Sequence, residues 1–266
     1  MNHLRRHLAP VTALAWAEIE SEAKASLTNF LAGRRIAEFD GPLGWQKASI
    51  ATGRLGESFE VVPGVSAAPR LVRSLVELRT EFTLSLTELD AVERGASDID
   101  LDAVGDAAKR AALAEDTLVF NGNAAANIVG IAPGSPHAPI AIGPDYADFA
   151  TYVAQAVGTL RGAGVDGPYA VALGPRCYEG VIETTERGYP LLKHLGQITG
   201  GSVVYAPAVD GSVVISQRGD DFKLTVGEDF SIGYLDHDRE TVTLYLEETM
   251  TFTNAAPEAA VALRYL

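Results

Sequence analysis

Residues 46–79 read QKASIATGRLGESFEVVPGVSAAPRLVRSLVELR, and this stretch decides the fold. β-Branched and small residues dominate it, several glycines interrupt it, and Pro63-Gly64 lies near its centre. This pattern predicts a long β-hairpin with its turn near Pro63-Gly64. The stretch has too few large apolar residues to bury itself, so the sequence predicts that a partner surface completes the hairpin.

Helical patterns lie on both sides of the hairpin. Before it, Thr12 is placed to cap a helix that runs to about Leu31, because apolar residues recur at steps of three and four. These residues are Trp16, Ile19, Ala23, Leu27 and Phe30. After the hairpin, an alanine-rich helix is predicted from a start between Ser97 and Asp100 to about Phe120. At 1.5 Å per residue it makes a smooth rod of roughly 30 Å.

The second half of the chain mixes helices and strands. Residues 121–144 are rich in Gly, Pro and Asn and form a candidate domain boundary. Helices are predicted at 145–161 and on both sides of Gly188-Tyr189-Pro190. Strands are predicted at 169–173, 203–206, 212–217, 222–226, 229–234, 241–247 and 261–265. Asp210-Gly211 predicts a hairpin between the second and third of these strands. Long helices apart from antiparallel strands indicate the α+β class.

Composition and charge narrow the functional classes. The chain has 266 residues, 47% of them hydrophobic, so one or two domains with a real core are expected. No apolar run approaches the roughly 18–20 residues of a membrane span. The net charge of −14 repels phosphate backbones and anionic lipids, which argues against nucleic-acid and membrane partners. The single cysteine, Cys177, excludes an internal disulfide, so a reducing cytoplasm is the expected location.

The sequence lacks the motifs of common catalytic sites. It has no G-x-S-x-G motif and no G-x-G-x-x-G between a strand and a helix. The acidic run from Asp98 to Asp102 imitates the start of a calcium loop, but Lys109 occupies its twelfth position. No metal-ligand spacing links the histidines, which are His3, His7, His137, His194 and His237. We therefore predict that the chain is not an enzyme and has no metal site and no cofactor.

Short motifs run along nearly the whole chain in a fixed order. They are Leu8-Ala9-Pro10, Gly33-Arg34-Arg35, Gly41-Pro42-Leu43-Gly44-Trp45, Glu77-Leu78-Arg79, Phe82-Thr83-Leu84, Glu88-Leu89-Asp90, Glu93-Arg94-Gly95, Glu115-Asp116, Gly164-Val165-Asp166-Gly167-Pro168-Tyr169, Gly188-Tyr189-Pro190, Gly227-Glu228-Asp229, Ser231-Ile232-Gly233-Tyr234 and Glu248-Thr249. With these motifs the chain resembles an encapsulin, the shell protein of bacterial nanocompartments, also described as a linocin-type bacteriocin protein.

The resemblance implies the tailed-phage major capsid protein fold. A peripheral domain, with an N-terminal helix on the inner wall, is expected at 1–45, 80–133 and 220–266. The extended loop is expected at 46–79 and the axial domain at 134–219. The resemblance also implies that about sixty copies assemble into a closed icosahedral shell. An assembly built from contacts between unlike surface patches closes only if each contact rotates the next copy by a suitable angle.

In the encapsulin family the shell encloses a cargo enzyme, and the cargo docks through a short C-terminal peptide. The resemblance implies a haem peroxidase or a ferritin-like iron-storage protein as the cargo. By position, the docking residues are expected to be Phe30, Arg34, Ile36, Glu38, Asp229, Phe230 and Tyr234. The alternative for each apolar member is plain core packing.

The resemblance also suggests a pore at the five-fold axis. Glu186, Arg187, Gly188 and Tyr189 match the loop that rims it, and a ring of repeated side chains can filter small ions and molecules by size and charge. The alternative is an ordinary surface loop. Some relatives have an aromatic residue where this chain has Thr87, so no stacked cofactor is expected there.

Two other functions stay open at this point. The first is a phage or prophage major capsid protein of the same fold; the acidic chain argues against it, because a shell that holds DNA favours a basic inner face. The second is the bacteriocin or protease activity suggested by the older family name. No catalytic set supports that activity.

Overall fold

The computed structural model describes residues 3–186 and 188–265. The helices are α1 (Ala13–Phe30), α2 (Gly33–Ile36), α3 (Leu86–Glu93), α4 (Asp102–Phe120), α5 (Ile131–Gly134), α6 (Phe149–Gly162), α7 (Pro175–Glu183) and α8 (Leu191–Thr199). The strands are β1 (Glu38–Asp40), β2 (Ser49–Leu55), β3 (Phe59–Val62), β4 (Val65–Ala67), β5 (Arg70–Ser74), β6 (Val76–Ser85), β7 (Ile140–Ile142), β8 (Tyr169–Leu173), β9 (Thr185–Glu186), β10 (Tyr189–Pro190), β11 (Gly200–Tyr205), β12 (Ser212–Ser216), β13 (Phe222–Val226), β14 (Ser231–His237), β15 (Thr241–Asn254) and β16 (Ala260–Tyr265). Within these described residues, no helix has both the length and the apolar character that a membrane span requires.

The first sheet is built on the long strand β15, which is rich in threonine and large apolar residues, the types that favour strands. β6 runs antiparallel to β15, from the pair Thr241 and Ser85 to the pair Met250 and Val76. On the other side of β15, β14 pairs with its first half and β13 with its second half. β1 extends the sheet as a parallel neighbour of β13.

Helices α1 and α4 pack together against this first sheet. As predicted, Thr12 caps α1: its side-chain oxygen accepts a hydrogen bond from the backbone N–H of Ala15 at 3.2 Å. α4 presents buried alanines such as Ala108 and Ala112, and these small side chains let α1 approach closely. α4 begins at Asp102, slightly later than predicted, and α3 was not predicted at all.

The second sheet has the strand order β11-β8-β12-β16-β7. β8 is buried along its whole length, as its apolar sequence predicts for a central strand. Helix α6 packs against β7, β12 and β16, and α8 packs against β8 and β11. The sheet and its helices form most of the core that also contains the C-terminal half of α4.

The predicted hairpin through Asp210-Gly211 is wrong. β11 and β12 do not pair with each other, because β8 lies between them in the sheet. Ala172 of β8 is paired with Val204 on one side and with Val213 on the other. A fully buried strand must satisfy its backbone hydrogen bonds on both edges, and that requirement outweighs the local preference of the turn.

The last strand lies in the second sheet. There β16 pairs with β12 and β7, whereas the domain division expected from the resemblance groups residues 220–266 with the first sheet. Residues 257–259 form a short 3-10 turn that separates β16 from β15. The residues Ala260–Leu263 are buried there, so the end of the chain belongs to the core of the second sheet.

The hairpin predicted for residues 46–79 is confirmed. β2 pairs antiparallel with β5, and β3 pairs with β4 around Pro63-Gly64. Gly64 has a φ of +83°, a left-handed conformation that glycine adopts without a steric penalty. Near the tip the side chains of Leu55, Phe59 and Val61 are exposed by 66%, 58% and 59%.

Candidate functional site

A groove of about 480 Å³ lies between α1 and the start of β14. Its floor is apolar and its rim carries charges of both signs. The lining residues are Leu4, Arg6, Glu20, Ala23, Lys24, Leu27, Thr28, Leu31, Arg34, Asp229, Phe230, Ser231, Ile232 and Leu246. An apolar floor with a few charged groups is typical of a site that binds a ligand with both apolar and polar groups.

The N-terminal segment forms one wall of this groove. The backbone N–H of Tyr234 in β14 donates a hydrogen bond to the carbonyl of Leu4 at 2.8 Å, which fixes the segment along that strand. Arg6 lies over the ring of Trp16 at 4.1 Å and forms an ion pair with Glu20 at 2.6 Å. The segment is therefore held by contacts to both α1 and the sheet.

Arg34 lies at the end of the groove, inside a cluster of acidic side chains. Its guanidinium group contacts Glu115 at 2.8 Å, Asp229 at 2.8 Å and Glu248 at 2.6 Å. The carboxylates of Glu115 and Glu248 are fully buried. The guanidinium also lies over the ring of Phe230, 5.2 Å from its centre. Arg34 is therefore the cation that compensates buried acids from α4 and β15.

Burial and charge shift the pKa values in this cluster. Burial disfavours the charged guanidinium, but the hydrogen bond and charge of Glu115 and the charge of Glu248 outweigh burial and raise the pKa of Arg34. Burial, followed by the charge of Glu115, raises the pKa of Glu248 well above its usual range. One oxygen of Glu248 is buried without a hydrogen-bond partner among the described residues. The charge of Arg34 acts in the opposite direction and lowers the pKa of Glu248.

Asp116, next to Glu115 on α4, holds the chain between α1 and α2. Its two carboxylate oxygens accept hydrogen bonds from the backbone N–H groups of Ala32 at 2.9 Å and Gly33 at 2.8 Å. These bonds favour the charged form, but burial outweighs them and raises the pKa of Asp116 to about 7. The carboxyl group therefore titrates near neutral pH in the folded chain.

We expect Asp116 to make folding stability depend on pH. Because its folded pKa of about 7 lies above the unfolded value of 3.8, the folded state binds more protons between these values, and stability falls as pH rises through them. The slope attributable to Asp116 is at most about 1.4 kcal/mol per pH unit. Urea unfolding between about pH 4 and 8 measures it as the difference between wild type and Asp116→Asn.

The control for this experiment is Asp106→Asn. Asp106 lies on the same helix but is exposed. Its replacement should leave the pH profile unchanged, whereas Asp116→Asn should flatten it. A profile of Asp116→Asn with the wild-type slope would contradict the prediction.

The structure brings three of the predicted docking residues together at the groove: Arg34, Asp229 and Phe230. Phe230 is half-buried, and the 2.8 Å ion pair between Arg34 and Asp229 lies beside it. The other groove residues were not predicted as docking residues. Ala23 and Leu27 belong to the apolar stripe that predicted the helix α1, and that stripe is the sequence signal that could have found them.

The remaining predicted docking residues lie outside the lining of the groove. Phe30 and Tyr234 are half-buried and pack against the core beneath it. Ile36 is buried in the core of the second sheet, and it lines a separate cavity of about 220 Å³ together with Glu38. Glu38 is exposed at the edge strand β1.

Three of the residues predicted to rim a pore, Glu186, Gly188 and Tyr189, lie at a tight turn. β9 and β10 form a two-residue ladder in which Tyr189 pairs with Glu186. Gly188 has a φ of +82°, and the exposed Tyr189 accepts a hydrogen bond from the side-chain amide of Gln197 at 3.3 Å. Arg187 lies outside the described residues. The pore itself stays a prediction.

Comparisons with solved structures identify the fold. A virus-like particle from Pyrococcus furiosus superposes with a TM-score of 0.67 over 93% of this chain and 98% of that chain, at 15% identity. The capsid of the Myoviridae phage XM1 gives a TM-score of 0.54 over 88% of this chain and 90% of that chain, at 12% identity. The predicted tailed-phage capsid fold is confirmed.

Sequence comparisons identify the family. A family model described as "encapsulating protein for peroxidase" matches residues 1–251. A type 1 encapsulin shell protein of Rhodospirillum rubrum is 49% identical over 100% of this chain and 98% of its own length. Both names describe a shell and no catalyst, in agreement with the prediction that the chain is not an enzyme. The chain belongs to the family of type 1 encapsulin shell proteins.

Proposed function

We propose that this chain is the subunit of a closed icosahedral shell, built from about sixty copies of itself, that encloses a cargo enzyme. One observation carries the proposal: the hairpin of residues 46–79 exposes a row of apolar side chains. This row comprises Leu55, Phe59, Val61, Val62, Val65, Leu71 and Val72. Exposed apolar patches of this kind mark interaction surfaces.

A neighbouring copy is the partner that best suits the hairpin. Full burial of an apolar side chain such as Phe59 stabilises a contact by about 1.5–3 kcal/mol. The hairpin differs from the surfaces it would cover, so the contact is head-to-tail, and such contacts build rings and shells when their rotation closes. Repetition of this contact by each copy supplies the assembly with its driving force.

The charge of the chain favours a protein cargo over a nucleic acid. Its net charge of −14, repeated in every copy, would repel a packaged genome. The family model and the relative from Rhodospirillum rubrum are named for encapsulation and for a shell. These points support the encapsulin function over the phage or prophage capsid alternative.

The groove beside α1 is the proposed docking site for the C-terminal peptide of the cargo. Leu27, Ile232 and Leu246 supply apolar contacts on its floor. Lys24, Arg34 and Asp229 supply charges that can set the register of a bound peptide. A haem peroxidase or a ferritin-like iron-storage protein is the proposed class of cargo, and the turn at 185–190, repeated around a five-fold axis, is the proposed pore.

Thr28→Trp is expected to block cargo capture while shells still form. Thr28 is exposed on α1 and lines the groove, so an indole at this position fills the groove without disturbing the core. We expect the amount of cargo per shell subunit to fall at least about tenfold, since a lost docking contact of 1.4 kcal/mol or more has that effect. Mass spectrometry of purified particles identifies the cargo, and gel densitometry measures its amount.

Asn29→Trp is the matched control for the docking experiment. Asn29 is the next residue on α1 and is also exposed, but it does not line the groove. Its shells should retain the wild-type amount of cargo. If Thr28→Trp shells load as much cargo as Asn29→Trp shells, the peptide docks elsewhere.

A further inference from the structure

Three side chains with metal-binding atoms meet beside the groove, although no sequence spacing links them. His3 Nε2 lies 2.7 Å from Glu228 Oε2 and 3.2 Å from Glu247 Oε1. All the candidate ligand atoms lie within 4.8 Å of one another. The side chains are largely buried, with 20%, 14% and 5% of their surface exposed for His3, Glu228 and Glu247.

Neighbouring groups hold each of these side chains in place. The imidazole of His3 stacks on the ring of Trp45, with 4.2 Å between the ring centres and an angle of 6°. The backbone N–H of Glu228 donates a hydrogen bond to Thr249 Oγ1 at 2.8 Å. Glu247 lies in the middle of β15, where the backbone is paired on both sides. The three donors therefore come from three separately anchored segments, as in a preorganised site.

Two of the donor atoms are buried without a hydrogen-bond partner. Neither His3 Nε2 nor Glu228 Oε2 makes a hydrogen bond of acceptable geometry to any described residue, although the two atoms are 2.7 Å apart. Buried polar atoms in native structures are nearly always satisfied. Two unsatisfied donor atoms that converge on one point, with the buried Glu247 beside them, are the arrangement that a bound cation would satisfy.

We propose that His3, Glu228 and Glu247 bind one divalent first-row transition metal ion per subunit. One imidazole and two carboxylates suit zinc and its neighbours, with bonds of about 2.0–2.2 Å, and leave a fourth position for water. Cysteine-free sets of this kind bind the ion only when the histidine is neutral and the carboxylates are charged. The ion would neutralise two largely buried acids, one of which, Glu247, also has the partly exposed Arg79 as a neighbour at 3.7 Å.

The proposed ion would fasten the N-terminal segment to the first sheet. His3 directly precedes Leu4, which lines the groove and accepts the hydrogen bond from Tyr234. A metal bond from His3 to Glu228 and Glu247 would therefore fix that wall of the groove. The metal site does not depend on the proposed docking function, because its ligands lie beside the groove and do not line it.

Zinc alone is the probe that tests the site. The full-length chain is produced as shells without a cargo protein and without a histidine tag, stripped with a chelator, and titrated with Zn²⁺ by calorimetry. We expect one equivalent per subunit. His3→Ala and Glu228→Gln should each weaken binding at least about tenfold, since even outer-shell changes at metal sites cost 10–100-fold.

His7→Ala is the matched control, because His7 is exposed four residues further along the same segment. It should bind zinc as the wild type does. Glu228→Gln keeps the size and shape of the side chain, and circular dichroism with particle sizing checks that each variant folds and assembles. A wild type that takes up no zinc, or zinc binding that survives either His3→Ala or Glu228→Gln unchanged, would overturn the proposal.

Discussion

Arg34→Ala is expected to cost the chain about 3–5 kcal/mol of its folding free energy, the usual effect of breaking a buried ion pair from one side. The substitution removes the cation within 3 Å of Glu115, Asp229 and Glu248. Glu115 and Glu248 are fully buried, so the substitution leaves buried acids without the cation that compensates them. Urea unfolding at matched protein concentration measures the loss.

Arg35→Ala is the control for Arg34→Ala. Arg35 is the adjacent residue on α2, but it is exposed, and its guanidinium donates a hydrogen bond to the backbone carbonyl of Thr28 at 2.6 Å. Its replacement should cost no more than about 0.5 kcal/mol. The loss of folding free energy for Arg34→Lys should lie between those of the two alanine variants. The lysine ammonium group keeps the positive charge but lacks the planar guanidinium that contacts several carboxylates at once. Equal losses for Arg34→Ala and Arg35→Ala would refute the role assigned to the network.

Deletion of residues 61–68 is expected to abolish shell assembly. The deletion removes the tip of the hairpin, including Val61, Val62 and Val65, but leaves both large sheets and their helices intact. We expect the wild type to elute as a megadalton particle and the deletion variant as subunits or small oligomers. Size-exclusion chromatography with light scattering measures the particles, and circular dichroism tests whether the subunit still folds.

A point variant separates the apolar surface from the length of the hairpin. Val61→Asp combined with Val65→Asp keeps the hairpin but places charges on exposed apolar positions, and it should also weaken assembly. Glu60→Gln is the control, because its carbonyl can still accept the hydrogen bond that Glu60 accepts from Gly64. Intact shells from the deletion variant would show that another surface drives assembly.

The elements that the sequence predicted well are those set by local patterns. The cap of α1 at Thr12, the hairpin turn at Pro63-Gly64 and the buried strand β8 follow from capping, turn chemistry and apolar runs. Strand partners were predicted less well. The turn at Asp210-Gly211 gives no sign that β8 will separate β11 from β12, since that depends on residues about forty positions away.

The candidate site was predicted only in part, and geometry explains the errors. Arg34 and Ile36 are two positions apart on α2, so their side chains point in nearly opposite directions, and only Arg34 reaches the groove. The proposed metal ligands His3 and Glu228 are far apart in the chain, so the search for ligand spacing could not find them. Only the pairing of the N-terminal segment with β14 brings them together.

Strand β15 serves two sites at once through consecutive residues. Glu247 points to the His3 cluster and Glu248 to Arg34, since neighbouring side chains of a strand project from opposite faces of a sheet. An insertion of one residue between Thr241 and Glu247 would therefore invert both faces in a single step, and neither carboxylate would meet its partner. A substitution in this part of the chain therefore affects one cluster, whereas a shift of the strand by one residue affects both clusters together.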